Sequence, residues 1–200
     1  LPRRMWAGGT LVYRSPLKIG TEATRVSTIA KVEEKTGRSG PLVFVTVHHA
    51  ISAGGTLCIE ESHNIVYRSD PDPSHPVPVP EQAPSSEDWS RRVTPDSTLL
   101  FRYSALTFNG HRIHYDRDYA RDVEGYAGLV VHGPLIATLL QDLVVERTGL
   151  TLARFEFRAV SPLFDTAPFE VCGKREGACA FLWARGPGGR LAMTADADFD

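Results

Sequence analysis

"GPLIATLLQDLVVERTG", residues 133–149, decides the fold. Pro134 brings a pre-set φ to the first helical position, and Gly149 ends the run where the chain needs a left-handed residue. Leu135, Ile136, Leu139, Leu140, Leu143 and Val144 cover more than one face of the resulting helix. A helix apolar over so much of its surface is buried, and the segments available to bury it are strands. "LTLARFEFRAVS", "APFEVCGKRE", "ACAFLWARG" and "RLAMTADADF" follow it and read as an antiparallel meander. The second half is therefore predicted to be α+β, a long central helix wrapped by a curved antiparallel sheet. "STLLFRYSALT", upstream of the helix, reads as one more strand.

The first half is β-rich: "GTLVYR", "EATRVSTIAKVEEKTGRSG", "PLVFVTVHHAIS" and "GTLCIEESHNIVYRS" are Val, Ile, Thr and Tyr runs separated by glycine-containing turns. Thr36 to Gly40 reads as a hairpin loop between two long strands. No helix comparable to 133–149 occurs there. Seven of the chain's fourteen prolines fall in residues 69–97. Proline fixes φ and lacks the N–H that a sheet ladder uses, so this stretch is predicted to be an extended connector. The organisation expected is a first unit over 1–68, a linker over 69–97 and a second unit over 98–200.

At 200 residues, 42% hydrophobic and 23% charged, the chain has an ordinary globular balance. A formal net charge of −2 gives no basic footprint for nucleic acid, and no apolar run approaches the roughly 20 residues that cross a bilayer. Cys58, Cys172 and Cys179 are an odd number without C-x-x-C spacing, and read as buried thiols of a reducing cytoplasm. The opening "LPRRMWAGG" has neither an initiator Met nor a signal sequence, and the expectation is that a segment precedes it.

Between the predicted strand and the central helix lies "FNGHRIHYD", residues 108–116, a loop holding Asn109, His111, Arg112, His114 and Asp116. Such groups are costly to enclose unless they are satisfied or used. His111, His114, Asp116 and Asp118 could ligate a metal, but H-x-x-H alone is weak and lacks the H-E-x-x-H helix spacing, so no metal is expected there. No G-x-S-x-G elbow, P-loop or G-x-G-x-x-G is present, and Ser104 is placed within a strand. "VVHGPL" puts Gly133 at a helix N-terminus, where free N–H groups and the positive end of the helix dipole face outward. An imidazole, an amide and backbone donors are the parts needed to add water across an activated C=C bond.

"FNGHRIHYD" with "EGYAGLVVHGPL", "LPRRMWAGG" and "EEKTGRSGPLVFVTV" resembles the MaoC-like and hydratase-2 group of hot-dog-fold acyl-thioester hydratases and dehydratases, nearest to the mesaconyl-CoA hydratase and mitochondrial-type 3-hydroxyacyl-thioester dehydratase branch. The resemblance covers nearly the whole chain. It implies a double hot-dog fold whose first unit lacks its helix within this chain and lines the acyl or pantetheine channel, and whose second unit carries the chemistry. It also implies that His114 is the general acid/base, that Asn109 stands where the family usually has aspartate and orients a water or the imidazole, and that Gly133 N–H polarises the thioester carbonyl. Arg112 replaces the family's proline.

His111, Arg112, His132 and Arg102 are the expected substrate contacts, with Arg112 and Arg102 suited to a second carboxylate. The function expected is hydration or dehydration of an acyl-CoA thioester, mesaconyl-CoA-like substrates first. The alternatives are a 3-hydroxyacyl-carrier-protein dehydratase and a non-catalytic thioester-binding module. No cofactor is expected beyond the CoA or phosphopantetheine of the substrate, and the assembly expected is a homo-oligomer in the cytoplasm, or in the mitochondrial matrix of a eukaryote. His48 and His49 are read as a packed or interface pair. Arg3, Arg4 and Trp6 form a basic-aromatic segment that either packs or meets the nucleotide end of CoA.

Overall fold

The computed structural model describes residues 1–37, 40–69 and 79–200. The hairpin tip at Arg38 and Ser39 and the connector segment 70–78 lie outside the described residues.

The chain divides into two compact units. The first comprises Leu1–Val79, Leu150–Arg158 and Ala197–Asp200. Its strands are β1 (Arg3–Tyr13), β2 (Ala23–Gly37), β3 (Gly40–Ala53), β4 (Thr56–Arg68) and β6 (Leu152–Ala159), ordered β2-β3-β4-β1-β6. All four neighbouring pairs in that order are antiparallel. The Thr36 to Gly40 hairpin is seen as the pairing of Gly37 with Gly40. Among its described residues this unit has no helix. Gly9 lies on β1 because a Cβ there would come within 2.7 Å of the Ser62 carbonyl, so the tight approach of β1 to β4 requires its absence. β2 ends the strand order and leaves Val26, Ile29 and Val32 exposed.

The second unit comprises Pro80–Gly149 and Ala159–Asp196. It holds β5 (Trp89–Val93), α1 (Ser97–Leu106), α2 (Gly133–Thr148), β7 (Phe169–Glu176), β8 (Cys179–Arg185) and most of β9 (Leu191–Phe199), with strand order β9-β8-β7-β5. The helix expected from residues 133–149 is α2. Gly149 caps it at φ 67°, and Leu135, Ile136, Ala137, Leu140, Leu143 and Val144 are buried. It packs against β5, β7 and β8, where the fully buried Val171 and Leu182 share one face. Burying each large aliphatic side chain contributes roughly 1.5–3 kcal/mol, so this face anchors the unit.

Three expectations are corrected. "STLLFRYSALT" is not a strand but helix α1: Asp96 accepts a hydrogen bond from Leu99 N (2.7 Å), and Leu100 and Ser104, four apart, form its buried stripe. Its Thr, Phe and Tyr content favours a strand, and the cap overrides that preference. Within the stretch read as connector, Trp89–Val93 is a strand at the end of the order, a position that needs only one ladder. Cys58 and Cys172 are buried, but Cys179, at the start of β8, is exposed. No described helix is long and apolar enough to cross a membrane.

Candidate active site

All the residues singled out between 102 and 133 lie in the second unit. The polar stretch begins where α1 ends. Phe108 adopts φ 52°, a left-handed conformation uncommon outside glycine, and the reversal brings Asn109 N to the Ser104 carbonyl (2.9 Å). Asn109 Oδ1 accepts from His111 N (3.1 Å), and Tyr115 Oη donates to the Gly110 carbonyl (3.0 Å), closing the loop on itself. Arg112–His114 is a single 3-10 turn with Ile113 and His114 buried. A π-helical turn follows over Tyr119–Val123.

What places His114 is the segment Leu129–Val131. Val130 N donates to the Ile113 carbonyl (2.9 Å), and the Val130 carbonyl accepts from His114 Nδ1 (2.7 Å). The segment is held from its other side: Val131 N donates to the Leu163 carbonyl (2.8 Å), and Leu129 N donates to the carboxylate of Asp165 (2.9 Å). That carboxylate is almost fully enclosed and ion-paired with Arg117. A carbonyl can only accept, so Nδ1 of His114 carries the proton and Nε2 presents a lone pair.

His132 is completely buried, at 0% exposure, and its ring stacks on His114 with centroids 3.7 Å apart and planes 15° from parallel. Its Nε2 is hydrogen-bonded to Ser104 Oγ (2.8 Å), and among the described residues nothing hydrogen-bonds its Nδ1. Burial pushes His114 down to about 4, offset in part by the Val130 carbonyl and reinforced by His111. Burial, with His114 and then His111 nearby, pushes His132 down to about 3. Both rings are therefore neutral at pH 7. His111 is exposed, with its ring 5.7 Å from His114 in a T-shaped contact.

Gly133 follows His132 as the first residue of α2, whose opening N–H groups have no acceptor within the helix. A Cβ at Gly133 would meet nothing within 4 Å, so the helix start is uncrowded on that side. An open depression of about 280 Å³ is lined by Phe101, Ser104, Ala105, Phe108, Asn109 and Tyr115 among others, and meets the buried histidines through Ser104, the partner of His132.

The structure thus brings His114, His132 and His111 together and puts Asn109 on the depression. Arg112 pairs with Asp116 through Nε and Nη2 (3.0 and 2.7 Å) and lies over the Tyr119 ring, 4.2 Å from its centre. Arg102 is exposed on α1. Ser104, 28 residues before its partner His132, was invisible as a site residue while α1 was read as a strand; its i, i+4 relation to Leu100 was the available signal. His48 and His49 do not form a pair: neighbours on a strand face opposite sides, and only His49 is buried.

Comparison with known proteins gives this geometry its context. Solved structures share the fold: HtdX from Mycobacterium tuberculosis superposes with a TM-score of 0.74 at 18% identity, covering 98% of this chain and 76% of that one. A MaoC-like dehydratase from Phytophthora capsici gives 0.77 at 12%, covering 100% and 74%. The chain has the hot-dog fold of these neighbours. In sequence it is 50% identical to mesaconyl-C(4)-CoA hydratase of Chloroflexus aurantiacus, over 97% of this chain and 69% of that protein. It is 35% identical to the mitochondrial hydroxyacyl-thioester dehydratase type 2 of Schizosaccharomyces pombe, over 88% and 66%. It spans about two thirds of the length of these relatives. The model of one family, hydroxyacyl-thioester dehydratase type 2, matches residues 1–165, across the β-rich first half, the histidine loop and all of α2; to that family the chain belongs.

Proposed function

We propose that the protein adds and removes water across the α,β double bond of an acyl-CoA thioester, with His114 transferring the proton. The observation that carries this reading is the hydrogen bond from His114 Nδ1 to the Val130 carbonyl, which leaves a neutral imidazole with an unprotonated Nε2. In hydration, Nε2 takes a proton from water as its oxygen bonds to the β-carbon. The electron pair of the double bond moves toward the thioester carbonyl, and the enolate oxygen accepts a hydrogen bond from the Gly133 N–H. Return of that proton from His114 Nε2 to the α-carbon restores the carbonyl and the neutral imidazole, and dehydration is the reverse. Asn109 holds the water or the imidazole without taking a proton. The reaction is redox neutral, so the reading calls for no cofactor and no metal at this site.

Mesaconyl-CoA-like substrates come first, because the 50% identical relative is named for that substrate. Arg112 is engaged by Asp116, so the exposed Arg102 is the arginine of the two left for a second carboxylate. The second reading, dehydration of 3-hydroxyacyl thioesters, is favoured by the family model. Exposed Phe101, Leu106 and Phe108 support self-association, tested by light scattering of the eluting protein. A CoA-handling compartment, cytoplasm or mitochondrial matrix, is implied.

The test is loss of conjugated-thioester absorbance with mesaconyl-CoA, crotonyl-CoA and 3-hydroxyacyl-CoA substrates. Turnover is expected, with His114→Ala reduced about 10²- to 10⁴-fold, and the kcat/KM ranking separates the two readings. Saturable binding with no turnover would replace both with a thioester-binding module.

A further inference from the structure

The first unit carries a second polar cluster that the chemistry above does not use. Ser27 on β2 lies opposite His49 on β3, and His49 lies opposite Glu61 on β4. His63 follows Glu61 by two residues and so shares its face. Ser27 Oγ contacts His49 Nδ1 at 2.7 Å, and Glu61 Oε1 contacts His63 Nε2 at 2.6 Å. Each imidazole thus has its outer nitrogen held by an oxygen. The two inner nitrogens, His49 Nε2 and His63 Nδ1, face each other at 3.3 Å.

That separation is the distance between two ligands on a tetrahedral zinc, about 3.3 Å for Zn–N bonds of about 2.0–2.1 Å. A carboxylate on the far nitrogen of a ligating histidine fixes the tautomer and strengthens the ligand, and Glu61 stands in that relation to His63. Ser27 can serve His49 in the same way by accepting its Nδ1–H. One potential donor atom from each of His49, Glu61 and His63 lies within 4.8 Å of the others. His49 is buried, whereas His63 and Glu61 keep 24% and 17% of their side chains exposed, which gives an ion access. Burial, followed by the neighbouring His63, lowers the pKa of His49 and favours the neutral form a metal needs.

We propose that the first unit binds one divalent transition-metal ion of the zinc, nickel or copper class between His49 Nε2 and His63 Nδ1, with Glu61 and Ser27 orienting the two rings. Nitrogen ligands select this class over magnesium and calcium. The ion would tie β3 to β4, and binding displaces the proton that one of the two facing nitrogens otherwise carries.

The experiment is calorimetric titration of the full chain with Zn²⁺. One saturating ion is expected, lost in His49→Ala and weakened roughly 10- to 100-fold in Glu61→Gln. His111→Ala, in the other unit, should bind as the parent does. Zn²⁺ should also raise the thermal midpoint of the parent and not of His49→Ala. Should His49→Ala fail to fold, Trp6 gives a second readout: its ring lies 4.4 Å from that of His63, so Cu²⁺ should quench a fluorescence component that Trp6→Phe removes. No saturable binding in the parent, undiminished binding in folded His49→Ala, or quenching identical in the parent and Trp6→Phe overturns the proposal.

Discussion

Two imidazoles stacked in one desolvated space set the pH response of the site. An unperturbed histidine would put the acid limb of kcat/KM near 6.5. His114, pushed down to about 4, keeps its neutral form far below that, so activity should persist at pH 5.5 and fall only as pH approaches 4. A pH profile measured between 4 and 8 checks this, and a midpoint at 6.5 would remove His114 from the role. Asn109 faces the depression with its amide while its Oδ1 holds the loop through His111 N. Asn109→Asp is therefore expected to retain measurable turnover, and Asn109→Leu to lose most of it; an unaffected Leu variant would show that the amide has no part. Asn109, His111 and His114 were legible in the sequence because an expensive polar run stood out locally. The burial of His132 was not, because it depends on Ser104 and His114, 28 and 18 residues away.

At the level of elements, the proposed oxyanion stabilisation rests on the start of α2. Gly133 does not occupy the left-handed region, and the space around a Cβ there is open, so Gly133→Ala should fold normally. A methyl beside this amide is expected to hinder a thioester oxygen held by it. Removing one such donor contact typically costs 10²- to 10³-fold in kcat, and steady-state kinetics on a variant with an unchanged melting temperature would isolate that loss. Wild-type kcat would mean that the carbonyl is held elsewhere. α2 was readable because Pro134, Gly149 and a wide apolar face agree. α1 was misread because its side chains favour a strand while only the Asp96 cap and the Leu100–Ser104 spacing argue helix.

Over the whole molecule, the same histidines link stability to acid. Their folded pKa values lie below the unfolded value near 6.5, so below that pH the unfolded chain binds more protons and stability falls as pH drops, until about 4 for His114 and about 3 for His132. Urea unfolding should show a loss on the order of a few kcal/mol between pH 7 and pH 4.5, reduced in His132→Phe. The proline-rich stretch suggests a single break, whereas Leu150–Arg158 and Ala197–Asp200 group with Leu1–Val79. The membership of β6 was not visible in the sequence, because its pairing with β1 joins residues more than 140 positions apart. The cluster around His49 was hidden for the same reason, since cross-strand register cannot be read from one strand. β2, fifteen residues long and last in its strand order, offers a backbone ladder to any second chain. Lys31, Glu33 and Lys35 sit on it in exposed ion pairs that add little to folding. Their service is colloidal: replacing them with Ser and Thr would leave the fold intact and yield a protein that gels or precipitates on concentration, as one edge zips onto the next.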